Sequence, residues 1–327
     1  MSRDLVRVSA PSRLHFGLLR FAQAEGPSYG GLGMMIDRPR VVVRLQPADR
    51  WQAVGPLADR ALVYAKQALA AWPHRSVHAL ELQISAAAPP HCGLGTGTQL
   101  ALAVAVGLRE VCGQPQAKLN ELVAVVRRGQ RSAVGSHGFF RGGLLWETGR
   151  LAEETLGRLA RRVVMPDAWR VVLITPLHDH GLYGDQEVQA FEQLPPVSPE
   201  VTQRLKELAE SEILPAADRA DLPRFGESVF QYGRLAGSCF AAIQGGPYAS
   251  PRIARTIDRL RCLGVAGVGQ SSWGPTVFAL VADDNAAAAL IDRLKSCPEC
   301  ADCRLSLAAP DNQGARVEKI TIPEIAR

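Results

Sequence analysis

The spacing of apolar residues divides the first half of the chain into strands and helices. Apolar and polar residues alternate over residues 5–10, which predicts a strand that ends at Pro11. Residues 41–45 and 79–87 predict two further strands. Apolar residues recur at helical spacing over residues 59–72, and residues 100–108 form an apolar run long enough for a buried helix.

The second half continues this mixture. We predict strands over residues 169–175, 276–281 and 320–322, and helices over residues 119–131, 200–212, 221–238, 251–262 and 286–295. Residues 135–138 are predicted to end one helix, and residues 139–146 to form a loop that turns into a strand. Strands and helices follow no regular β-α-β rhythm, which favours the α+β class. A chain of 327 residues predicts two subdomains, which we place at residues 1–165 and 166–327.

A glycine-rich stretch, residues 93–99, precedes the apolar helix of residues 100–108. Glycines permit positive φ and close approach of a ligand, and the N–H groups at a helix start favour an anion. We therefore interpret the stretch as a phosphate or pyrophosphate cradle; a tight turn into a buried helix is the alternative. It lacks the Gly-Lys-Ser/Thr of a Walker A loop and the spacing of a dinucleotide fingerprint. The candidate binding residues are Gly93, Gly95, Thr96, Gly97, Thr98 and Gln99.

A second glycine-rich stretch, residues 264–275, repeats the same anion-binding pattern. Its hydroxyl and amide side chains supply hydrogen-bonding groups, and its tryptophan offers a flat face for an aromatic acid, with core packing as the alternative. The candidate binding residues here are Gly269, Gln270, Ser271, Ser272 and Trp273.

Composition narrows the classes of function. The chain is 47% hydrophobic and 21% charged, as in ordinary folded proteins. Its net charge of +5 comes from scattered arginines, which disfavours nucleic acid and fits a small anionic substrate. The N-terminus is too polar for a signal peptide and no apolar run approaches the length of a membrane span, so we expect a cytoplasmic protein with no membrane partner.

Cysteines and acidic residues give weaker signals. Seven cysteines, an odd number, argue against a disulfide framework. Cys297, Cys300 and Cys303 repeat a C-x-x-C spacing without a fourth ligand, although Cys262 or a histidine could complete a zinc site. We interpret the segment as an incidental turn or an adventitious site. Asp37 follows a glycine-rich segment and is a candidate metal or ribose-hydroxyl ligand, or else a turn cap. A second candidate metal site, alternatively a solvated loop, comprises His178, Asp179 and His180.

Four segments together resemble the β-ribofuranosylaminobenzene 5′-phosphate synthase family. They are the strings S-R-L-H-F-G (residues 12–17), G-L-G-T-G-T-Q (93–99), R-S-A-V-G-S-H-G-F-F-R-G-G (131–143) and G-Q-S-S-W-G-P (269–275). The resemblance implies a GHMP kinase-like fold of two subdomains. It also implies transfer of a phosphoribosyl group from phosphoribosyl pyrophosphate to 4-hydroxy- or 4-aminobenzoate, with release of carbon dioxide and pyrophosphate. This is an early step of methanopterin-type cofactor synthesis and depends on a divalent cation such as Mg²⁺.

The resemblance also suggests catalytic candidates. Arg13 and Arg141 are candidates to hold the carboxylate of the aromatic acid. His15 lies two residues after Arg13, on the same side of an extended segment, and is a further catalytic candidate, with a structural role as the alternative. By alignment, His137 takes the position of the catalytic aspartate of GHMP kinases, with a structural turn residue as the alternative.

The acidic base of a GHMP kinase has no evident counterpart, because no acidic residue lies between Arg127 and Trp146. This absence counts against phosphoryl transfer. An ATP-dependent kinase of small molecules and a non-catalytic sensor of a phosphorylated ligand stay open as alternatives. We expect a homodimer, which is ordinary for a protein of this size.

Overall fold

The computed structural model describes residues 3–21, 23, 25–72, 79–115, 117–178 and 184–322. Within these residues the strands form a seven-stranded and a four-stranded sheet. The larger sheet has the order β11-β1-β2-β4-β3, and β5 pairs with both β2 and β6. Its strands are β1 (Arg3–Leu18), β2 (Gly31–Pro47), β3 (Gln52–Val54), β4 (Leu80–Ala86), β5 (Leu144–Glu147), β6 (Leu159–Val163) and β11 (Arg316–Ile322).

The smaller sheet has the order β10-β7-β9-β8, and all its pairs are antiparallel. Its strands are β7 (Arg170–Pro176), β8 (Val268–Gln270), β9 (Val277–Val281) and β10 (Cys303–Ala308). The predicted subdomain boundary, between residues 165 and 166, falls in the connection from β6 to β7. That boundary stays a prediction, since β11 returns to the larger sheet beside β1.

Helices cover the sheets and connect them. They are α1 (Ala58–Ala71), α2 (Thr96–Val111), α3 (Leu119–Val126), α4 (Val134–Arg141), α5 (Gly184–Gln193), α6 (Pro199–Glu207), α7 (Leu214–Asp218), α8 (Leu222–Ser238), α9 (Ala241–Gln244), α10 (Pro251–Cys262) and α11 (Asp284–Lys295). A π-helical turn, Leu208–Ile213, separates α6 from α7, and a 3₁₀ turn spans Pro298–Cys300. Among the described residues no helix combines the length and the apolar composition needed to cross a bilayer. The mixture of helices and sheets confirms the α+β class.

The long strand β1 corrects the prediction that the first strand ends at Pro11. The register between β1 and β2 shifts between Ala10 and Ser12, so the proline lies at an irregularity where a missing N–H is tolerated. The strand then continues to Leu18. This continuation carries Arg13 and His15 into the middle of the fold.

Helix α2 is the buried helix predicted at residues 100–108, and it begins four residues earlier, at Thr96. Every residue from Gln99 to Ala105 is buried. The helix packs against β1, β2 and α1, in a core built from the apolar faces of these elements. The first turn of α2 is thereby held at a fixed place beside β1.

Helix α4 corrects a second prediction, because residues 135–138 lie inside a helix and do not mark an end. A Cβ on Gly138 would overlap the Met35 side chain, so this glycine allows α4 to pack closely on β2. Helix α3 ends at Val126, five residues before the predicted end, where Arg127 adopts a positive φ of 51°. Strands β3, β6 and β10 were not predicted, and β8 lies inside the second glycine-rich stretch.

Candidate functional site

A cavity of about 820 Å³ lies where the two glycine-rich stretches meet. Residues of the first stretch line one side, residues of the second line another, and β1 contributes its central residues. The described lining residues from these three segments are Arg13, His15, Phe16, Gly17, Leu18, Gly93, Leu94, Gly95, Thr96, Gly97, Thr98, Gln270, Ser272, Trp273 and Gly274.

The first stretch turns sharply into α2. Gly95 caps the helix with φ 72° and ψ 16°, a left-handed conformation that glycine adopts at little cost. No side chain caps the helix, and its first residues line the cavity. The hydroxyl of Thr96 is buried. The start of α2 therefore presents a helix dipole and backbone N–H groups to the cavity.

The two stretches contact each other directly. The Ser271 hydroxyl donates to the Gly93 carbonyl at 2.7 Å. Gly274 packs against the backbone of Gly93 so closely that a Cβ on it would overlap that backbone. The second glycine-rich stretch therefore packs directly against the first.

Strand β1 joins the two stretches through its backbone. The Arg13 N–H donates to the Leu94 carbonyl at 3.0 Å, and the Ser272 N–H donates to the His15 carbonyl at 3.0 Å. The His15 N–H donates to the Ser271 hydroxyl at 3.1 Å. Arg13 and His15 are therefore fixed between the two predicted anion-binding stretches.

Four further arginines line the cavity, and sequence reasoning did not assign them to a site: Arg60, Arg127, Arg128 and Arg131. The guanidinium NH2 of Arg60 lies 3.1 Å, and that of Arg128 3.6 Å, from the place a Cβ on Gly97 would take. Both charges therefore lie over the first turn of α2. Tyr64 holds them there, because its hydroxyl accepts a hydrogen bond from each arginine.

His15 is a buried histidine that contacts the cavity. Its Nε2 lies 3.0 Å from the Ser132 hydroxyl. Burial, and secondarily the charge of Arg13, hold its pKa well below the usual value of 6.5. The imidazole is therefore neutral at neutral pH and has one nitrogen able to accept a proton.

An aromatic cluster forms another part of the cavity wall. The Trp273 ring stacks on Phe191 with a centroid distance of 5.1 Å and an interplanar angle of 7°. Phe240 packs edge-on against Trp273 at 4.9 Å. The Arg131 guanidinium lies 4.8 Å from the centre of the Phe191 ring. A planar aromatic acid entering here would meet apolar rings and a cation together.

Several predicted binding residues hold the loops in place. The Gln99 amide donates to the Gly135 carbonyl at 2.8 Å. The Gln270 amide donates to the Ser272 carbonyl and its oxygen accepts from the Ala249 N–H, both at 2.9 Å. Gly269 pairs with Phe278 inside the smaller sheet. The described lining of the cavity does not include Gln99, Gly269 or Ser271. Their contacts support the lining residues and do not face the cavity.

Two predicted catalytic residues lie away from the cavity. The His137 Nε2 is 2.8 Å from the Gly157 carbonyl, and burial lowers the pKa of this imidazole. Arg141 is exposed at the last turn of α4. Neither belongs to the described lining of the cavity, so the structure does not bring them together with Arg13 and His15.

The predicted metal ligands are also separate from the cavity. The Asp37 carboxylate accepts a hydrogen bond from the Ala309 N–H at 2.7 Å, which joins β2 to the segment after β10. His178 is exposed, whereas Asp179 and His180 lie outside the described residues. The described part of the chain contains no group of three or more histidine, cysteine, aspartate or glutamate residues able to hold a metal. Cys297, Cys300 and Cys303, which are described, therefore do not form such a group.

The lining does not fit a metal ion held by the protein. Mg²⁺ prefers carboxylate oxygens, and the described residues that line the cavity include no aspartate or glutamate. Their cationic groups are arginines, which attract phosphates directly. A divalent cation would take its ligands from the phosphates of a substrate, and it stays a prediction for this chain.

One acidic residue near the cavity was missed. Glu147 follows Trp146 directly, at the end of β5, and is fully buried. One carboxylate oxygen accepts from the Ala133 N–H at 2.7 Å. Burial raises its pKa to about 7, against the opposing effects of the Ser132 hydroxyl, the backbone N–H groups and Arg13. Glu147 lies one residue beyond the interval from Arg127 to Trp146, which contains no acidic residue.

Family models match two parts of the chain. The N-terminal domain of the GHMP kinases matches residues 57–140, which contain α1, α2 and the first glycine-rich stretch. The C-terminal domain of the GHMP kinases matches residues 213–299. The structure of a putative homoserine kinase from Listeria monocytogenes superposes with a TM-score of 0.68 at 19% identity, over 96% of this chain and 99% of that one. This likeness shows the fold.

Curated relatives cover most of the chain. A β-ribofuranosylphenol 5′-phosphate synthase from Methanothermobacter thermautotrophicus is 28% identical over 296 residues, which are 84% of this chain and 88% of the relative. A protein of the same name from Archaeoglobus fulgidus is 26% identical over 342 residues, covering 96% of this chain and all of the relative.

Proposed function

Because this chain belongs to the GHMP kinase superfamily and, within it, to the β-ribofuranosylphenol 5′-phosphate synthase family, we propose that it is a phosphoribosyltransferase. Its substrates are phosphoribosyl pyrophosphate and 4-hydroxybenzoate. The products are a ribosylphenol 5′-phosphate, carbon dioxide and pyrophosphate. The choice of the 4-hydroxy acid over the 4-amino acid rests on the ribosylphenol named in the activity of the relatives, and the neutral imidazole of His15 has one nitrogen able to accept the phenol proton.

The arginine end of the cavity suits the phosphates of the donor. Arg60 and Arg128 lie over the start of α2, where the helix dipole adds to their charge. Negative charge grows on pyrophosphate as its bond to the anomeric carbon breaks, and fixed donors stabilise that charge without rearranging. This region therefore binds the leaving group and favours its departure.

The aromatic end suits the acid. Trp273 and Phe240 provide the rings against which the benzoate packs, while Arg131 or Arg13 holds its carboxylate. Arg13 adjoins both glycine-rich stretches through its backbone, which places it between the two substrates. Arg131 takes over the second carboxylate contact that the sequence assigned to Arg141, which lies outside the cavity lining.

The reaction then follows from charge and geometry. The bond between the anomeric carbon and pyrophosphate breaks, and its electron pair leaves with pyrophosphate. The ring carbon that bears the carboxylate attacks the anomeric carbon, while His15 accepts the phenol proton. When carbon dioxide leaves, the electron pair of the bond that joined it to the ring returns to the ring. His15 then gives the proton back to the phenolate oxygen.

The single observation that carries this proposal is a cavity with five arginines and no acidic residue among its described lining. A kinase of this fold needs a carboxylate base or a metal-holding carboxylate beside the reacting alcohol. A transferase that expels pyrophosphate needs cations instead.

Labelled acid tests the proposal. The protein is incubated with Mg²⁺, phosphoribosyl pyrophosphate and 4-hydroxybenzoate labelled with ¹⁴C in the carboxyl group. We expect labelled carbon dioxide and pyrophosphate in equal amounts, and a lower rate with 4-aminobenzoate. Release that does not require the donor, or ADP formation when ATP replaces it, would contradict the proposal. Tight donor binding without release would indicate a sensor and equally contradict it.

A further inference from the structure

We propose that Glu147 is a positioning residue for His15, joined to it through the Ser132 hydroxyl in a buried His15–Ser132–Glu147 chain. The chain selects which imidazole nitrogen accepts a proton and provides the negative charge that balances the imidazolium. This inference deepens the proposed function and rests on it, because it assigns His15 the proton of the aromatic acid.

The geometry connects the three residues from the cavity inward. His15 lines the cavity and its Nε2 lies 3.0 Å from the Ser132 hydroxyl. The next residue, Ala133, donates its N–H to the Glu147 carboxylate at 2.7 Å, and the Ser132 side chain lies beside that carboxylate and lowers its pKa. Ser132 is thus held between a histidine that contacts the cavity and a carboxylate that does not.

The cost of burying Glu147 argues for more than a capping role. Glu147 is 1% exposed, and its oxygen Oε2 is buried without a hydrogen-bond partner among the described residues. A neutral glutamine would cap α4 equally well, because only the oxygen that accepts from Ala133 is needed. Buried carboxylates with unsatisfied oxygens are expensive and concentrate at functional sites.

The surroundings make room for this carboxylate. Gly157 faces Oε2 so closely that a Cβ on it would overlap the oxygen. Arg13 from β1 and Tyr232 from α8 interact with this carboxylate electrostatically, and His137 from α4 contacts the carbonyl of Gly157. His15 contacts the hydroxyl of Ser132, which neighbours Glu147, and also lines the cavity.

The chain suggests a specific movement of one proton. When Glu147 is ionised, the Ser132 hydroxyl donates to the carboxylate and accepts from the Nε2–H of His15. Nδ1 is then the nitrogen without a proton, and it takes the phenol proton as the bond to the sugar forms. The resulting imidazolium is balanced by the Glu147 charge until carbon dioxide leaves and the proton returns.

Two substitutions test the chain. Glu147→Gln removes the charge and keeps an oxygen for the Ala133 N–H, whereas Ser132→Ala cuts the link and leaves Glu147 in place. We expect each variant to lower kcat roughly 10- to 100-fold, a share of the usual effect of general acid–base catalysis, with donor KM changed less than about twofold. Glu210→Gln is the matched control, since this carboxylate accepts from Trp146 Nε1 at 3.1 Å and is outside the described cavity lining.

A readout without substrates separates this inference from the proposed function. In protein labelled with ¹⁵N-histidine, we expect the wild-type His15 signals to show protonated Nε2 and unprotonated Nδ1, and both variants to shift toward the other tautomer. This result would support the chain even if the wild type released no carbon dioxide. Unchanged His15 signals and unchanged kcat in folded Glu147→Gln protein would overturn it, and if that variant fails to fold, the same two results in Ser132→Ala decide.

Discussion

Arg128 offers a sharp test of the phosphate end of the cavity. Its guanidinium is fixed by the Tyr64 hydroxyl and lies 5.2 Å from the centre of the Tyr64 ring, above the first turn of α2. Arg128→Met keeps much of the side-chain length and removes the charge. Because the tyrosine already holds the arginine in place, the wild-type protein loses little side-chain entropy when it binds the donor.

The expected magnitude follows from the charge that is lost. A hydrogen bond to a charged group contributes about 1.5–3 kcal/mol, which corresponds to a loss of roughly 10- to 150-fold in affinity for phosphoribosyl pyrophosphate. Affinity for 4-hydroxybenzoate should change little, because the aromatic wall is elsewhere. Tyr64→Phe keeps both arginine charges but removes their anchor, and we expect a smaller loss of about threefold to tenfold in donor affinity.

Isothermal titration with the donor alone measures both effects without turnover. Arg109→Met is the matched control, because Arg109 also lies over an aromatic ring, that of Trp72 at 4.8 Å, and bonds a carbonyl outside the cavity lining. An Arg128→Met protein that binds the donor as tightly as wild type, yet binds the aromatic acid more weakly, would refute the assignment of the two ends.

Four other predictions concern single positions. Trp273→Ala should raise the KM for the aromatic acid roughly tenfold and the KM for the donor much less, as measured by steady-state kinetics with each substrate varied in turn. A larger increase in the KM for the donor would show that the aromatic wall is misassigned. Gly274→Ala should cost roughly 1–3 kcal/mol in the free energy of unfolding and most of the activity, because its Cβ would push against Gly93, whereas Gly246→Ala, with nothing within 4 Å, should leave thermal stability and rate unchanged. His137→Ala should keep full turnover and lose about 1 kcal/mol in urea denaturation, since its hydrogen bond to Gly157 is structural; a large loss of kcat would return it to the mechanism. Folding raises the Glu147 pKa from 4.5 to about 7, so the folded protein binds this proton more tightly than the unfolded chain and loses stability as pH rises between these values. Glu147→Gln should therefore gain roughly 3 kcal/mol relative to wild type between pH 4 and pH 8, and parallel stability curves would contradict this.

Much of the fold could be predicted because its signals are local. The periodicity of residues 59–72 and 251–262 matches α1 and α10, and Asp283 caps α11 by accepting from the Ala286 N–H. Helix α4 was missed because its glycines were interpreted as an end. That helix depends on close packing of Gly138 on Met35, a contact between distant parts of the sequence.

The site could be predicted only where the residues that form it lie close together in the sequence, within one motif. Glycines before an apolar helix indicate an anion site, and the motif of residues 12–17 contains Arg13 and His15. Arg60 could not be assigned, because it enters the cavity from α1 by folding alone, 35 residues before Gly95. Glu147 gave no signal either, since its importance lies in burial and in its neighbour Ser132, both of which are tertiary facts.

The central claim is that one cavity gathers the donor's phosphates at the start of α2 and the aromatic acid beside Trp273. A crystal structure with phosphoribosyl pyrophosphate and an analogue of the acid that cannot lose carbon dioxide, such as 4-hydroxybenzamide, measures this most directly. We predict pyrophosphate density against Gly95, Thr96 and the guanidinium groups of Arg60 and Arg128, with the ring beside Trp273 and His15. Pyrophosphate bound elsewhere, or an aromatic ring beside Arg60 and Arg128 at the start of α2, would contradict the account.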